Sequence, residues 1–520
     1  MLPHVTRDSV GPPAGGRVDE EFLAMPRAAI ADAAISRGRA LGASHVDVRV
    51  ARLQSQHLAL RDASLDSLHR GEDVGMAVRV VVDGAWGFAA TSIVAVDEVP
   101  ALVARAVDVA RVCRPLIDTP VELAPEPVAD GGQWVSAYAV DPFAVPDAEK
   151  IDVLAEYSRR VLAAPGVEHV LAHLEQVKEQ TFYADHHGTA VTQQRVRLHP
   201  VLDAVGLGPD DTVETMRTLA APAGRGFEYV TGADGVHDWA HELATLPEHL
   251  AEKLRAPSVA PGRYDLVIDP TNLWLTIHES VGHATELDRA LGYEAAYAGT
   301  SFATLDQLGT LRYGSPAMHI VADRTTPHGL STVGWDDEGV AAQSWDLVRE
   351  GVLVGYQLDR RMAAANAAAL GVARSNGCAY ADSPHSIPMQ RMPNVSLQPD
   401  PRGPDLAGLL AGVEHGIYVV GDKSWSIDMQ RYNFQFTGQR FYRIEHGRLA
   451  GQVKDVAYQS RTPDFWAALE AVGGPDTYLL GGAFNCGKGQ PGQVAPVSHG
   501  APLTLFRGIN VLNTVQEGSR

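Results

Sequence analysis

The sequence predicts an α+β protein, with a two-part α/β N-terminal region followed by a large β-rich C-terminal domain. Three observations carry that expectation. Segments of helical and of alternating periodicity interleave as far as Pro257. From residue 263 onward, short apolar runs separated by turn residues dominate. A chain of 520 residues, at ~150 per domain, accommodates about three units.

The first twenty residues lack an apolar signal core and read as a disordered tail, 1–20. A first α+β domain, 21–113, opens with a helix over 21–41, in which Phe22, Leu23, Ala29, Ile30 and Ala33 recur at helical spacing. Strands follow at 45–91, where Asp83-Gly84 marks a hairpin, and an Ala/Val-rich helix spans 95–113. The proline-punctuated stretch 114–147 reads as a linker. A second α+β domain, 148–240, has a helix and then strands that turn at Asp185-His186-His187-Gly188. Trp239, Leu243, Leu246, Leu250 and Leu254 form the stripe of an amphipathic helix over 236–255. The β-rich domain, 241–520, carries hairpin patterns at Glu350-Gly351 and His446-Gly447, and its aromatic run over 432–442 reads as strand core.

With 43 Lys+Arg against 63 Asp+Glu, the net charge is −20. Such a surface repels phosphate backbones and anionic lipid, which argues against nucleic acid and membrane as partners. Cys113, Cys378 and Cys486 are too few and too scattered for a disulfide framework, so a cytoplasmic protein with reduced thiols is expected.

The segment His278-Glu279-Ser280-Val281-Gly282-His283 carries the chemistry. Neutral imidazoles suit a borderline-soft cation such as zinc, and the adjacent glutamate can act as a proton carrier. The spacing is H-E-x-x-x-H. On a straight α-helix, residues five apart are offset by about 140°, so these two rings meet one ion only if the helix widens or ends here. Gly282 is the residue type that tolerates such distortion. Two histidines leave a zinc site short of a ligand. Acidic residues are plentiful, while Cys486 lies in a glycine-rich segment beside Lys488, which would favour its thiolate; a buried, inert cysteine is the other reading.

Other patterns read as ordinary structure. Gly482 to Lys488 spells most of a phosphate-binding loop, but Gly489 stands where Ser or Thr is needed. His237 and His241 flank the leucine stripe, His186 and His187 occupy a turn, and Asp336-Asp337-Glu338 before Gly339 reads as a solvated turn.

Several motifs in order resemble the TldD/PmbA family of metallopeptidases. HESVGHATELD (278–288) is similar to that family's zinc-binding helix, and Pro388-Met389-Gln390-Arg391-Met392-Pro393-Asn394 to its P-M-x-R-M-x-N segment. Gly416–Val419, Tyr442–Gly447 and the Cys486-Gly487-Lys488 stretch resemble further signatures, and GMAVRVVVDGAWGFAAT resembles the family's first domain. The resemblance implies a TldD-like, zinc-motif-bearing subunit with Zn2+ on His278, His283 and Cys486 and with Glu279 as general base. It implies hydrolysis of peptide bonds in unfolded or extended polypeptides, within a heterodimer with a PmbA/TldE-like sister subunit or a homodimer. The alternative is a non-catalytic scaffold that holds extended peptide by strand addition around a structural metal.

Overall fold

A computed structural model describes residues 16–208 and 212–515. It is an α+β fold with a mixed N-terminal region and a β-rich C-terminal part. Among the described residues no helix is long and apolar enough to cross a membrane.

The N-terminal strands are long. β1 (His45–Arg61) pairs antiparallel with β2 (Ser64–Val82), which pairs with β3 (Ala85–Thr91). Asp83 and Gly84 both have positive φ, the geometry a tight Asp-Gly hairpin requires. β4 (Asp130–Val135), β5 (Val167–Asp185), β6 (Ala190–Leu207) and β7 (Val213–Arg217) complete the sheet, in the order β3-β2-β1-β5-β6-β4 with β7 also on β6. β1 pairs with β5 from Asp47 opposite Asp185 to Arg61 opposite Leu171. The segments expected as separate domains, 21–113 and 148–240, thus share one sheet, and the expected linker 114–147 contributes strand β4. Alternation along β1 says which face is buried, not which strand lies on its second edge.

Two apolar cores clothe this sheet. α1 (Glu20–Leu23), α2 (Arg27–Ala40) and α3 (Val99–Cys113) bury Phe22, Ile30, Leu102 and Val103 against Val46, Val48, Val78 and Val80. The single helix expected over 21–41 is broken ahead of Arg27, where Pro26 stands. α4 (Asp147–Leu162), α5 (Phe227–Thr231) and α6 (Trp239–Arg255) cover the other half with Leu154, Val161, Phe227 and the whole predicted leucine stripe. α6 begins at Trp239, so the expected boundary between 240 and 241 falls inside its first turn. Of the expected tail, residues 1–15 lie outside the described residues. Val18 is buried in the first core and Asp19 pairs with Lys178 at 2.8 Å, so the end of the expected tail belongs to the folded core.

In the C-terminal part, β8 (Gly262–Ile268) leads into α7 (Pro270–Ile277), whose N-cap Asp269 accepts from the Thr271 N–H. A small sheet of β9 (Ile320–Asp323), β10 (Ser344–Arg349), β11 (Val352–Leu353) and β14 (Asn394–Leu397) lies alongside the pair β12 (Ala379–Tyr380) and β13 (Met389–Gln390) in the chain. The larger sheet runs β15 (His415–Ile427), β8, β22 (Thr504–Asn513), β18 (Val456–Arg461), β16 (Asn433–Glu445), β17 (Arg448–Val453), with β19 (Leu469–Val472) on β22. Because β16 also pairs with β15, the order closes on itself. Phe434, Phe436 and Phe441 are buried in its core, as their strand periodicity predicted. The hairpin β20 (Leu479–Lys488) and β21 (Gln493–Ala501) packs on α7.

The run Asp336-Asp337-Glu338 is buried, not solvated. Glu338 pairs with Arg79 at 2.9 Å, Asp337 lies 3.6 Å from Arg49, and Asp336 accepts backbone N–H groups of Glu338, Val340 and Ala379. Both arginines come from the N-terminal sheet, so the acidic turn serves as its docking point. Local sequence gives no warning of partners over 250 residues away.

Gly87 sets the distance between β3 and α3, since a Cβ there would lie 1.8 Å from the Ala106 carbonyl oxygen. Gly87→Ala should lower stability by about 3 kcal/mol, seen as an earlier urea-unfolding midpoint. Gly262→Ala, whose nearest neighbour is Tyr264 at 3.5 Å, should stay within about 0.5 kcal/mol of the parent.

Candidate metal centre

α7 does not continue as a regular helix. After Ile277 the chain makes a π turn over His278–Gly282 and then a 3-10 turn over His283–Thr285. This is the widening that the five-residue histidine spacing demands, and it brings the two ring centroids to 4.7 Å. A widened turn misaligns its carbonyls with their helical donors, and here buried side chains take them up. Gln357 Nε2 donates to the Gly282 carbonyl, the Tyr313 hydroxyl to that of Ser280, and Thr285 Oγ1 to that of Val281. Gly282 itself has ordinary right-handed helical angles. Its lack of a side chain answers to packing, since a Cβ there would sit 2.5 Å from Met392 Sδ.

The hairpin supplies the third group. Trp274 of α7 lies against Gly481 of β20, where a Cβ would come within 2.6 Å of the indole. Farther along that strand the register slips between Ala483 and Cys486. Cys486 Sγ comes 3.5 Å from His283 Nε2, and one donor atom from each of His278, His283 and Cys486 lies within 4.8 Å of the other two. All three side chains are buried, each residue about 5% exposed.

Hydrogen bonds fix the ring tautomers. His499 Nδ1 donates to the Val395 carbonyl at 2.9 Å, so its Nε2 carries a lone pair that accepts from His278 Nδ1–H at 2.7 Å. His283 Nδ1–H donates to Glu286 at 2.8 Å. Each metal-motif ring therefore keeps its Nε2 lone pair available, the orienting arrangement that metal-binding imidazoles need. Burial lowers both rings from the usual imidazole pKa, which favours the neutral form that a metal binds. Burial alone would raise the Cys486 thiol, but in metal-free protein the positive charge and N–H donor of a His283 protonated at Nε2, and then Arg391, outweigh it and leave it below the ordinary thiol range. Lys488, expected to favour this thiolate, instead donates to Glu286 at 2.9 Å and Asp288 at 2.8 Å. Together with His283 and Arg289 it keeps Glu286 ionised against the cost of burial. Two neutral imidazoles and a thiolate form a donor set that fits zinc and does not suit the oxygen-seeking magnesium or calcium.

Glu279 lies on the same turn, buried, and its carboxylate accepts from Arg431 Nη1 at 2.9 Å. Arg431 comes from the loop between β15 and β16. Of the other patterns, Gly482–Lys488 is extended strand, and His237 Nε2–H donates to the Glu242 carboxylate at 2.5 Å.

Sequence reasoning assigned no role to His499, Glu286, Arg391 or Arg431. Glu286 and Arg391 lie within the family-like segments 278–288 and 388–394. Arg391 spans the strands of the hairpin, donating to the carbonyls of Cys486 and Gln493, while Gln390 donates to Asp288 at 3.0 Å. His499 and Arg431 carry no local signature, because only tertiary folding brings them here.

Residues 261–513 match the model of the PmbA/TldA metallopeptidase C-terminal domain, and residues 46–110 match that of PmbA/TldA metallopeptidase domain 1. The chain belongs to the PmbA/TldD family. Within it, a protein of Methanothermobacter thermautotrophicus named "Metalloprotease" is 26% identical over 471 residues, 90% of this chain and 96% of its own. The "Zinc metalloprotease TldD homolog" of Saccharolobus solfataricus is 23% identical over 480 residues, 92% of this chain and 98% of its own. The crystal structure of TldE from Thermococcus kodakarensis shares the fold, with a TM-score of 0.67 at 15% identity over 93% of this chain and 99% of that one. The family and these names make the chain a member of a metallopeptidase family.

In metal-free protein, thiolate absorbance should separate two buried cysteines. Cys486 should ionise below the usual thiol range, whereas burial pushes Cys378 up to about 12. Cys486→Ser should delete the early step, and His283→Ala should move it to higher pH.

Proposed function

We propose that this chain is a zinc-dependent peptidase acting on unfolded or extended polypeptides, with its metal on His278, His283 and Cys486 and Glu279 as the general base. The observation that carries this reading is the convergence of one donor atom from each of His278, His283 and Cys486 on the same turn as the buried Glu279 carboxylate. Zinc bound there would supply Lewis acidity for hydrolysis of a peptide bond. The protein's part is proton traffic and orientation. His499 and Glu286 fix the rings, Arg431 holds the Glu279 carboxylate in place, and Glu279 takes a proton from the attacking water and returns it to the departing nitrogen.

The reading extends to assembly with a PmbA/TldE-like sister chain or a second copy. Tyr293, Tyr297 and Met429 are large and exposed, and Tyr297 packs over Gly489, three residues beyond Cys486. A covered rim of this kind would enclose the site. Its placement in the cytoplasm is supported by the three unpaired cysteines.

Glu279→Gln should keep its zinc and lose about 100-fold or more of turnover on an unfolded-protein substrate. Equal turnover would remove the proposed base and favour a scaffold with a structural metal. Cys486→Ala and His278→Ala should lose zinc by elemental analysis, and His499→Ala should weaken zinc affinity about 10–100-fold. Full zinc content in Cys486→Ala would exclude that residue as a ligand.

A further inference from the structure

A second set of imidazoles, separate from the pair that follows α7, converges in the N-terminal sheet. His45 opens β1, and His186 and His187 form the turn between β5 and β6. The β1–β5 register, with Asp47 opposite Asp185, delivers His45 to that turn. One nitrogen from each ring lies within 4.8 Å of the other two, and the ring centroids are 5.0 Å apart for His45–His186 and 3.9 Å for His186–His187. The sequence shows His186 and His187 only as polar turn residues.

Orientation, charge and access all suit a ligand. Asp47 accepts from His45 Nε2–H at 2.8 Å and also from Arg79 Nε and Nη2. Against its burial, Arg79 and His45 hold that carboxylate down at about 2. His45 is thus locked with its proton on Nε2 and a lone pair on Nδ1, the carboxylate–histidine pairing found behind metal-bound imidazoles. Burial, joined by the neighbouring rings, lowers His186 to about 4, and burial also lowers His187, so both rings are neutral at pH 7. His186 Nδ1 accepts only a long contact, 3.3 Å, from the Val46 N–H, which a cation at that nitrogen would replace. All three rings line a cavity of about 360 Å³. Arg360 also faces it, but its Nε donates to the Ala124 carbonyl and its charge lies 3.8 Å from Asp185.

We propose that His45, His186 and His187 form a second metal site, a three-imidazole site for a borderline divalent cation such as zinc. Three neutral nitrogen donors suit zinc, cobalt, nickel or copper in preference to magnesium or calcium. An ion there ties the first residue of β1 to the turn at the end of β5.

Cobalt(II) distinguishes the two centres. Full-length protein stripped with a chelator is titrated with Co2+, with bound metal counted by elemental analysis. A thiolate-to-cobalt charge-transfer band marks binding at Cys486, whereas an all-imidazole site contributes visible d–d absorption without that band. We expect the parent to bind one equivalent lacking the thiolate band. Cys486→Ser should retain that equivalent, and the double variant H186A/H187A should lose it while keeping the parent's circular dichroism. The single variant H187A, at an exposed ring, should weaken it. The proposal is overturned if the parent binds no cobalt beyond the thiolate-marked equivalent, or if H186A/H187A binds as many equivalents as the parent with unchanged affinity.

Discussion

Two histidines five residues apart on a helix can face the same point only if the helix widens or ends between them; here it widens, and much of the surrounding structure serves that requirement. A π turn on its own is poorly bonded. Here Gln357, Tyr313 and Thr285 occupy the carbonyls it misaligns, and Trp466 donates to Ser280 Oγ at 2.9 Å. The missing side chain of Gly282 admits Met392, and the missing side chain of Gly481 admits Trp274. The second of these contacts brings the β20–β21 hairpin, and Cys486 with it, onto α7. Arg391 then pins the hairpin through the Cys486 carbonyl.

Behind the three donor groups stands a buried chain of charges. His283 leans on Glu286, Glu286 on Lys488 and Arg289, and Lys488 on Asp288 with Glu294 3.6 Å away. Buried ion pairs of this kind add little net stability over an apolar replacement, yet losing one member strands the others. Their value here is positional. The carboxylate that sets the His283 tautomer is kept ionised by cations that have no contact with the donor atoms themselves.

Much of this was legible in the sequence, for identifiable reasons. Asp83-Gly84 located a hairpin because only residues tolerant of positive φ make so tight a turn. The histidine spacing announced a helix that widens or ends at this point, because at 3.6 residues per turn side chains five apart face different ways. Pairing across distance was not legible. The junction of β1 with β5, the burial of Asp336-Asp337-Glu338 against Arg79 and Arg49, and the arrival of His499 behind His278 all depend on contacts that leave no local periodicity. Lys488 illustrates the intermediate case. Its proximity to Cys486 in the chain suggested that it favours the thiolate, but its ammonium pairs with Glu286 and Asp288 instead.

The sheet shared by the two N-terminal halves has a mechanical corollary. β1 enters the first core with Val46, Val48 and Val50 and leaves through the second with Leu58 and Leu60, while β5 runs the opposite way between the same cores. At roughly 3.3 Å per residue, strands of 17 and 19 residues make a beam on the order of 55–60 Å long. Between the cores its rungs are polar, with Gln176 donating to Gln56 and Lys150 to the same Gln56 oxygen. The N-terminal region is therefore a single stiff lever gripped at both ends by helices. A push on one end would reach the other through the backbone hydrogen bonds of β1 and β5, whose register runs unbroken from Asp47 opposite Asp185 to Arg61 opposite Leu171.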